Sequence, residues 1–122
     1  MSEHSVMGPT VLVVDDQRDF RRLARQLLEV GGFTVVGEAE DARGALDGAF
    51  ELGPDIVLLD VRLPDGSGIG VASALSQWER GPLVVLTSTA DYAQAAAACG
   101  AVGFIPKSRL SAATLRSLIE AV

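Results

Sequence analysis

A chain of 122 residues and 12.7 kDa has the size of one compact domain, and one domain is expected. Apolar residues at 48% and charged residues at 21% form a globular mixture, and no apolar run approaches the ~20 residues that span a bilayer, so a soluble protein is expected. Sixteen acids against ten bases give a net charge of −6 and a pI near 4.6, which repels nucleic-acid phosphates and argues against direct DNA binding.

The rare residues exclude more. The only histidine is His4 and the only cysteine is Cys99. Histidine-based acid–base catalysis, a Ser/His/Asp triad, a structural zinc site and an internal disulfide therefore lack their residues. Met1–Pro9 has no basic start followed by a long apolar segment, so it reads as a tail ahead of a domain over residues 10–122, and the cytoplasm is the default compartment.

Thr10–Val14 is a continuous β-branched apolar run ending at Asp15–Asp16, the pattern of a strand buried on both faces. Phe20, Leu23, Ala24, Leu27 and Leu28 recur at helical spacing until Gly31–Gly32 stops them. Phe33–Glu38 predicts a second strand, nearer the sheet edge, and Ala42, Ala45, Leu46, Ala49 and Phe50 a second helix. After the break at Gly53–Pro54, Ile56–Leu59 predicts a buried strand that ends at Asp60. Val71, Ala72, Leu75 and Trp78 mark a third helix, and Leu83–Leu86 a fourth strand ending at Thr87–Ser88. Tyr92, Ala95, Ala96 and Cys99 mark a fourth, alanine-rich helix, followed by a short strand, Val102–Ile105, that ends beside Pro106–Lys107. Leu115, Leu118, Ile119 and Val122 are the stripe of a last helix, with Ser111 as its cap. Five strand–helix alternations with short connections predict a doubly wound α/β domain, a five-stranded parallel sheet with helices on both faces.

In such sheets ligands bind beyond the carboxyl ends of the strands, where Asp15, Asp16, Asp60, Thr87 and Lys107 collect. Three carboxylates on one rim repel one another, and a hard cation with a preference for oxygen relieves them; Mg²⁺ is the natural candidate. The plain alternative, acids that cap the following helices, suits Asp19 and Asp41 better. Lys107 is the only lysine beside nine arginines, and its compact charge suits a phosphoryl oxygen or a carboxylate deep in a crevice. Thr87 offers a hydroxyl to an anionic oxygen, a role open also to Ser88 and Thr89. Phe104 could be an aromatic that responds to the site, but from pattern alone it reads as core. No GxxxxGK[ST] loop and no dinucleotide-binding glycine pattern occurs. Arg62 stands two residues after Asp60, so a phosphatase acid in an Asp-x-Asp pair is missing, leaving phosphoryl capture without an evident release step.

Asp15–Asp16, Asp60, Leu63–Pro64 with Gly68, Thr87, and Phe104 with Lys107, in this order on these elements, resemble the receiver domain of bacterial two-component response regulators. The stretches VVGEAEDARGAL and PDIVLLDVRLPDGSG look most like the NarL/FixJ type. The resemblance implies a flavodoxin-like strand order 2-1-3-4-5. It further implies a sensor histidine kinase as partner, Asp60 as the nucleophile that becomes an acyl phosphate, and Mg²⁺ on Asp15 or Asp16 and Asp60. Lys107 and Thr87 would hold the transferred oxygens, and Thr87 and Phe104 would switch the surface of helix four, strand five and helix five. Homodimerisation on activation and an effector domain or downstream protein are implied partners, without a membrane.

Three departures stand out. Pro106 precedes Lys107 and Ser108 follows it, where the family often has proline after the lysine with a cis bond between them. The Thr87–Lys107 stretch is about two residues shorter than in familiar members, which trims helix four or its loop. Arg62 and Thr89 occupy places that tune phosphate lifetime in the family. Two alternatives follow: a degenerate receiver that binds partners without phosphorylation, and a small metal-dependent phosphohydrolase, which suffers from the missing acid.

Overall fold

The computed structural model describes residues 8–122; His4 and most of the expected tail lie outside the described residues. Five parallel strands form one sheet: β1 (Thr10–Val14), β2 (Thr34–Ala39), β3 (Ile56–Asp60), β4 (Leu83–Ser88) and β5 (Gly103–Pro106). Their order is β2-β1-β3-β4-β5, the expected 2-1-3-4-5. Between them run α1 (Arg18–Val30), α2 (Ala42–Leu52), α3 (Gly68–Ser76), α4 (Ala93–Ala98) and α5 (Ala112–Glu120). Among the described residues no helix is long and apolar enough to cross a membrane.

Strand side chains alternate between faces, so each strand feeds two cores. Leu12, Val14, Val57, Leu59, Val84 and Leu86 pack with α2, α3 and α4 through Ala45, Ala49, Val71, Leu75 and Ala96. Val11, Val13, Ile56, Leu58, Val85 and Ile105 pack with α1 and α5 through Ala24, Leu28 and Leu115. β1 and β3 pair at the centre in unbroken register, and both are buried on both faces, which is why they read as continuous apolar runs.

The helix ends follow local chemistry. Asp41 caps α2 by accepting from Gly44 N at 2.7 Å, the capping role favoured for it over a site. Ser111 accepts from Thr114 N at 3.0 Å in a reciprocal box that starts α5. At the end of α1, Phe33 N–H returns to Leu28 O at 3.1 Å, so Phe33 closes the helix and β2 starts one residue later than the pattern suggests. β3 and β4 run on through Asp60 and Thr87–Ser88 because the ladder does: Asp60 pairs with Thr87, and Val61 N–H donates to Thr87 O at 3.0 Å.

Leu23 of α1 is 47% exposed, and three more apolar positions leave the expected stripes. α3 ends at Ser76, short of Trp78, whose backbone belongs to the turn into Gly81–Pro82. Val122 lies beyond the end of α5 and is 75% exposed. Phe50 is 81% exposed because α2 settles on its Ala45–Gly48–Ala49 side, where a Cβ on Gly48 would sit 3.2 Å from Leu12 Cδ2. The small residues let the helix approach the sheet, and the large one turns outward.

The two classes of apolar residue should separate in stability. Leu58→Ala, in the fully buried centre of β3, is expected to lower unfolding free energy by about 2–5 kcal/mol in urea titrations. Val30→Ala, at a position 91% exposed, is expected to stay within about 0.5 kcal/mol. Equal losses at both positions would contradict this placement of the core.

Candidate phosphoryl-acceptor site

The alternation that divides the cores also builds the site. Asp15 keeps the parity of Val13, Asp60 that of Leu58, Thr87 that of Val85, and Lys107 that of Ile105. All four therefore fall on the α1/α5 side, at the carboxyl edge of the central strands. Phe104 has the opposite parity and packs half-buried against the other core.

Asp15 is fully buried and Asp60 is 5% exposed, whereas Asp16 is exposed. One carboxylate oxygen from each lies within 4.8 Å of the others. Lys107 Nζ sits 2.7 Å from Asp15 Oδ2 and 3.4 Å from Asp60 Oδ2, joining the two buried acids. The contact with Asp15 is the closer of the two, at the distance of a charge-assisted pair. The ammonium also lies over the Phe20 ring, 4.6 Å from its centroid. Backbone donors complete the carboxylates: Gln17 N–H on Asp15 Oδ1 at 2.8 Å and Arg62 N–H on Asp60 Oδ1 at 3.3 Å.

The electrostatics are unbalanced. Burial pushes the Asp60 carboxyl above its ordinary 3.8 and the like charge of Asp15 adds to this, against the pull of Lys107 and of the Arg62 N–H. Burial works to lower the Lys107 pKa, but Asp15 and then Asp60 outweigh it and hold the ammonium above its ordinary 10.5.

Of the three candidate hydroxyls, Ser88 Oγ accepts from Ala90 N at 3.2 Å in a local turn, and Thr89 is exposed. Thr87 is fully buried, in register with Asp60, and its Oγ1 has no hydrogen-bond partner. Sequence reasoning did not give Phe20 a place beneath Lys107. It also missed Arg21, whose guanidinium donates to Asp15 O at 2.6 Å while Glu38 holds it at 3.0 Å. Neither had a sequence signal beyond helical spacing. Gly68 had one, its place after Leu63–Pro64: it opens α3 so close to β3 that a Cβ there would overlap the Asp60 carbonyl oxygen. The Lys107–Ser108 bond is trans, as are all described peptide bonds, and the expected short helix four is the six-residue α4.

Three carboxylate oxygen donors within 4.8 Å of one another, two of them on buried residues, fit a hard divalent cation. They do not suit a soft metal, since the chain's only cysteine, Cys99, lies on α4's C-terminal end.

A parallel α/β sheet with an acidic pocket and a lysine at its carboxyl edge defines a class of domain, and comparison with known proteins gives the family. The family model for the response regulator receiver domain matches residues 11–120. The chain belongs to that family, the receiver domain of two-component response regulators. Among curated relatives, protein-glutamate methylesterase/protein-glutamine glutaminase 5 of Myxococcus xanthus is 41% identical over 109 residues, 84% of this chain and 31% of that protein. The transcriptional regulatory protein KdpE of Mycobacterium tuberculosis is 43% identical over 81 residues, 66% of this chain and 35% of that one. The chain thus spans well under half the length of both. The solved signal receiver domain of the putative response regulator NarL from Mycobacterium tuberculosis superposes with a TM-score of 0.83 at 32% identity, covering 93% of this chain and 94% of that one.

Lys107 should be a stabilising residue in the metal-free protein. Lys107→Met leaves two buried carboxylates facing each other and is expected to cost roughly 2–3 kcal/mol at neutral pH. The sign follows from the raised pKa: while its carboxylate partners are ionised, the lysine's contribution is complete below its ordinary 10.5 and is lost as pH rises through its higher folded value. The deficit should shrink in acid, as the Asp60 carboxyl is neutralised, and on adding Mg²⁺. Denaturation curves across pH would check this, and a deficit unchanged by acid and by Mg²⁺ would contradict it.

Proposed function

We propose that this receiver domain accepts a phosphoryl group on Asp60 from the phosphohistidine of a sensor histidine kinase, and passes the signal through the surface of α4, β5 and α5. The observation that carries the reading is the juxtaposition of buried Asp60 with Asp15, Asp16 and the single ammonium of Lys107. In the transfer an Asp60 oxygen attacks phosphorus, the new P–O bond forms as the P–N bond breaks, and imidazole leaves with the bonding pair. Asp15, Asp16 and Asp60 would hold Mg²⁺, which when bound supplies positive charge against that on the transferred oxygens. Asp60 needs no base, because it reacts as the carboxylate.

The chain's own groups then rearrange. Forming the acyl phosphate takes the charge off the Asp60 carboxylate and places it on the phosphoryl oxygens, and the ammonium turns to them. The unpartnered Thr87 hydroxyl donates to another of them, drawing β4's end towards the site. Phe104 has room to respond: a cavity of about 370 Å³ beside it is lined by Thr89, Ala90, Asp91, Ala93 and Pro106. The switch is a shift between two populated arrangements that partners read, and those partners are the kinase, an effector domain or downstream protein, and a second receiver on activation. A cytoplasmic location suits a phosphorelay. The six-residue, alanine-rich α4 favours a second reading, an interaction module that works without phosphorylation.

Intact-protein mass after incubation with acetyl phosphate separates the two. Wild type is expected to gain one phosphoryl group only with Mg²⁺, and neither Asp60→Asn nor a chelated sample should gain it. No adduct on wild type, with acetyl phosphate or with histidine kinases, would favour the phosphorylation-independent module.

A further inference from the structure

The loop after Asp60 is a minimal hairpin, Arg62–Leu63 paired antiparallel with Gly66–Ser67. Its two-residue turn, Pro64–Asp65, is not of the kind that suits a hairpin. Such turns favour positive φ, whereas the described residues with positive φ are Gly8, Gly32, Gly53 and Gly100 alone. Arms of two residues do not hold together unaided. Yet this hairpin carries the Arg62 N–H that meets Asp60 Oδ1, and Gly68 N–H, just beyond it, returns to Val61 O at 2.7 Å.

What fastens it is on another element. Asp65 Oδ1 accepts from Ala42 N at 2.6 Å and Oδ2 from Arg43 N at 3.1 Å, the first two amides of α2. These donors draw the Asp65 carboxyl below its ordinary 3.8, Ala42 more than Arg43. The helix has its own cap, Asp41, on the third amide, so α2 does not depend on Asp65 to begin. The hairpin also lies against α2, since a Cβ on Gly66 would stand 3.7 Å from Ala42 Cβ.

We infer that Asp65 is a positioning residue for the acceptor site: it clamps the hairpin to α2 and so holds the Arg62 amide on the Asp60 carboxylate. The inference rests on the phosphoacceptor reading of Asp60 and assigns Asp65 no contact with the transferred group. A matched pair of variants separates positioning from mere support of α2, because Asp41→Ala weakens the same helix terminus without touching the hairpin. Asp65→Ala is expected to speed amide exchange across Arg62–Ser67 about tenfold. It should also weaken Mg²⁺ binding and slow phosphorylation at saturating acetyl phosphate about fivefold or more. Asp41→Ala should leave all three near wild type. If the two variants behave alike, or Asp65→Ala matches wild type, the clamp is refuted. Wild type taking no phosphoryl group would refute the phosphoacceptor reading instead, and amide exchange with Mg²⁺ affinity would then decide whether Asp65 positions Asp60.

Discussion

The ammonium of Lys107 stands between two carboxylates that the sheet buries on one side, and the rest of the site is arranged around that unequal match of charge. Asp15 and Asp60 come to this place because β1 and β3 are neighbours at the centre of the sheet, and Asp15, just after β1, and Asp60, at the end of β3, both continue the face of Val13 and Leu58. One lysine neutralises one of them. Asp60 is left with a raised pKa, and Thr87 with an idle hydroxyl nearby. Buried groups left in this condition are costly, and each would gain from a cation or a phosphoryl group.

Backbone and second-layer contacts keep the imbalance from relaxing. Gln17 and Arg62 amides fix one oxygen of each buried acid, and Arg21, braced by Glu38, holds the Asp15 carbonyl. Glu38 also accepts from Arg25 at 3.0 Å, so two α1 arginines tie the helix to edge strand β2. Burial alone would raise the Glu38 carboxyl, but Arg25 and Arg21 outweigh it and hold it below its ordinary 4.5. That bracing is therefore complete above pH 4.5 and is lost as acid brings the pH down through the lower folded value.

Much of this was legible in the sequence, and the reason is the strand period. Continuous runs such as Val11–Val14 and Ile56–Leu59 announce strands buried on both faces, and an acid directly after such a run must lie at the carboxyl edge of a parallel sheet. Asp15 and Asp60 follow such runs, Thr87 and Lys107 stand at the ends of β4 and β5, and the structure places all four at that edge. The hydroxyl left open among Thr87, Ser88 and Thr89 is distinguished only by where the β3–β4 ladder ends, which apolar pattern does not encode. Phe50 was misplaced because helical spacing shows which residues share a face but not which face approaches closest; Gly48 against Leu12 decided that. The contacts of Phe20 with Lys107 and of Asp65 with α2 join residues far apart in sequence, and that of Arg21 with Asp15 is to a backbone carbonyl, so no local pattern carries them.

The central claim is that burial and the neighbouring Asp15 charge make Asp60 an electrostatically disfavoured carboxylate, one that a cation would stabilise. The direct measurement is a carboxyl-¹³C NMR titration of Asp60 with and without Mg²⁺. The account predicts an apparent pKa above the ordinary 3.8 in the metal-free protein, moving down when Mg²⁺ is added. Titration at or below 3.8 without metal, or a value that Mg²⁺ does not move, would contradict it.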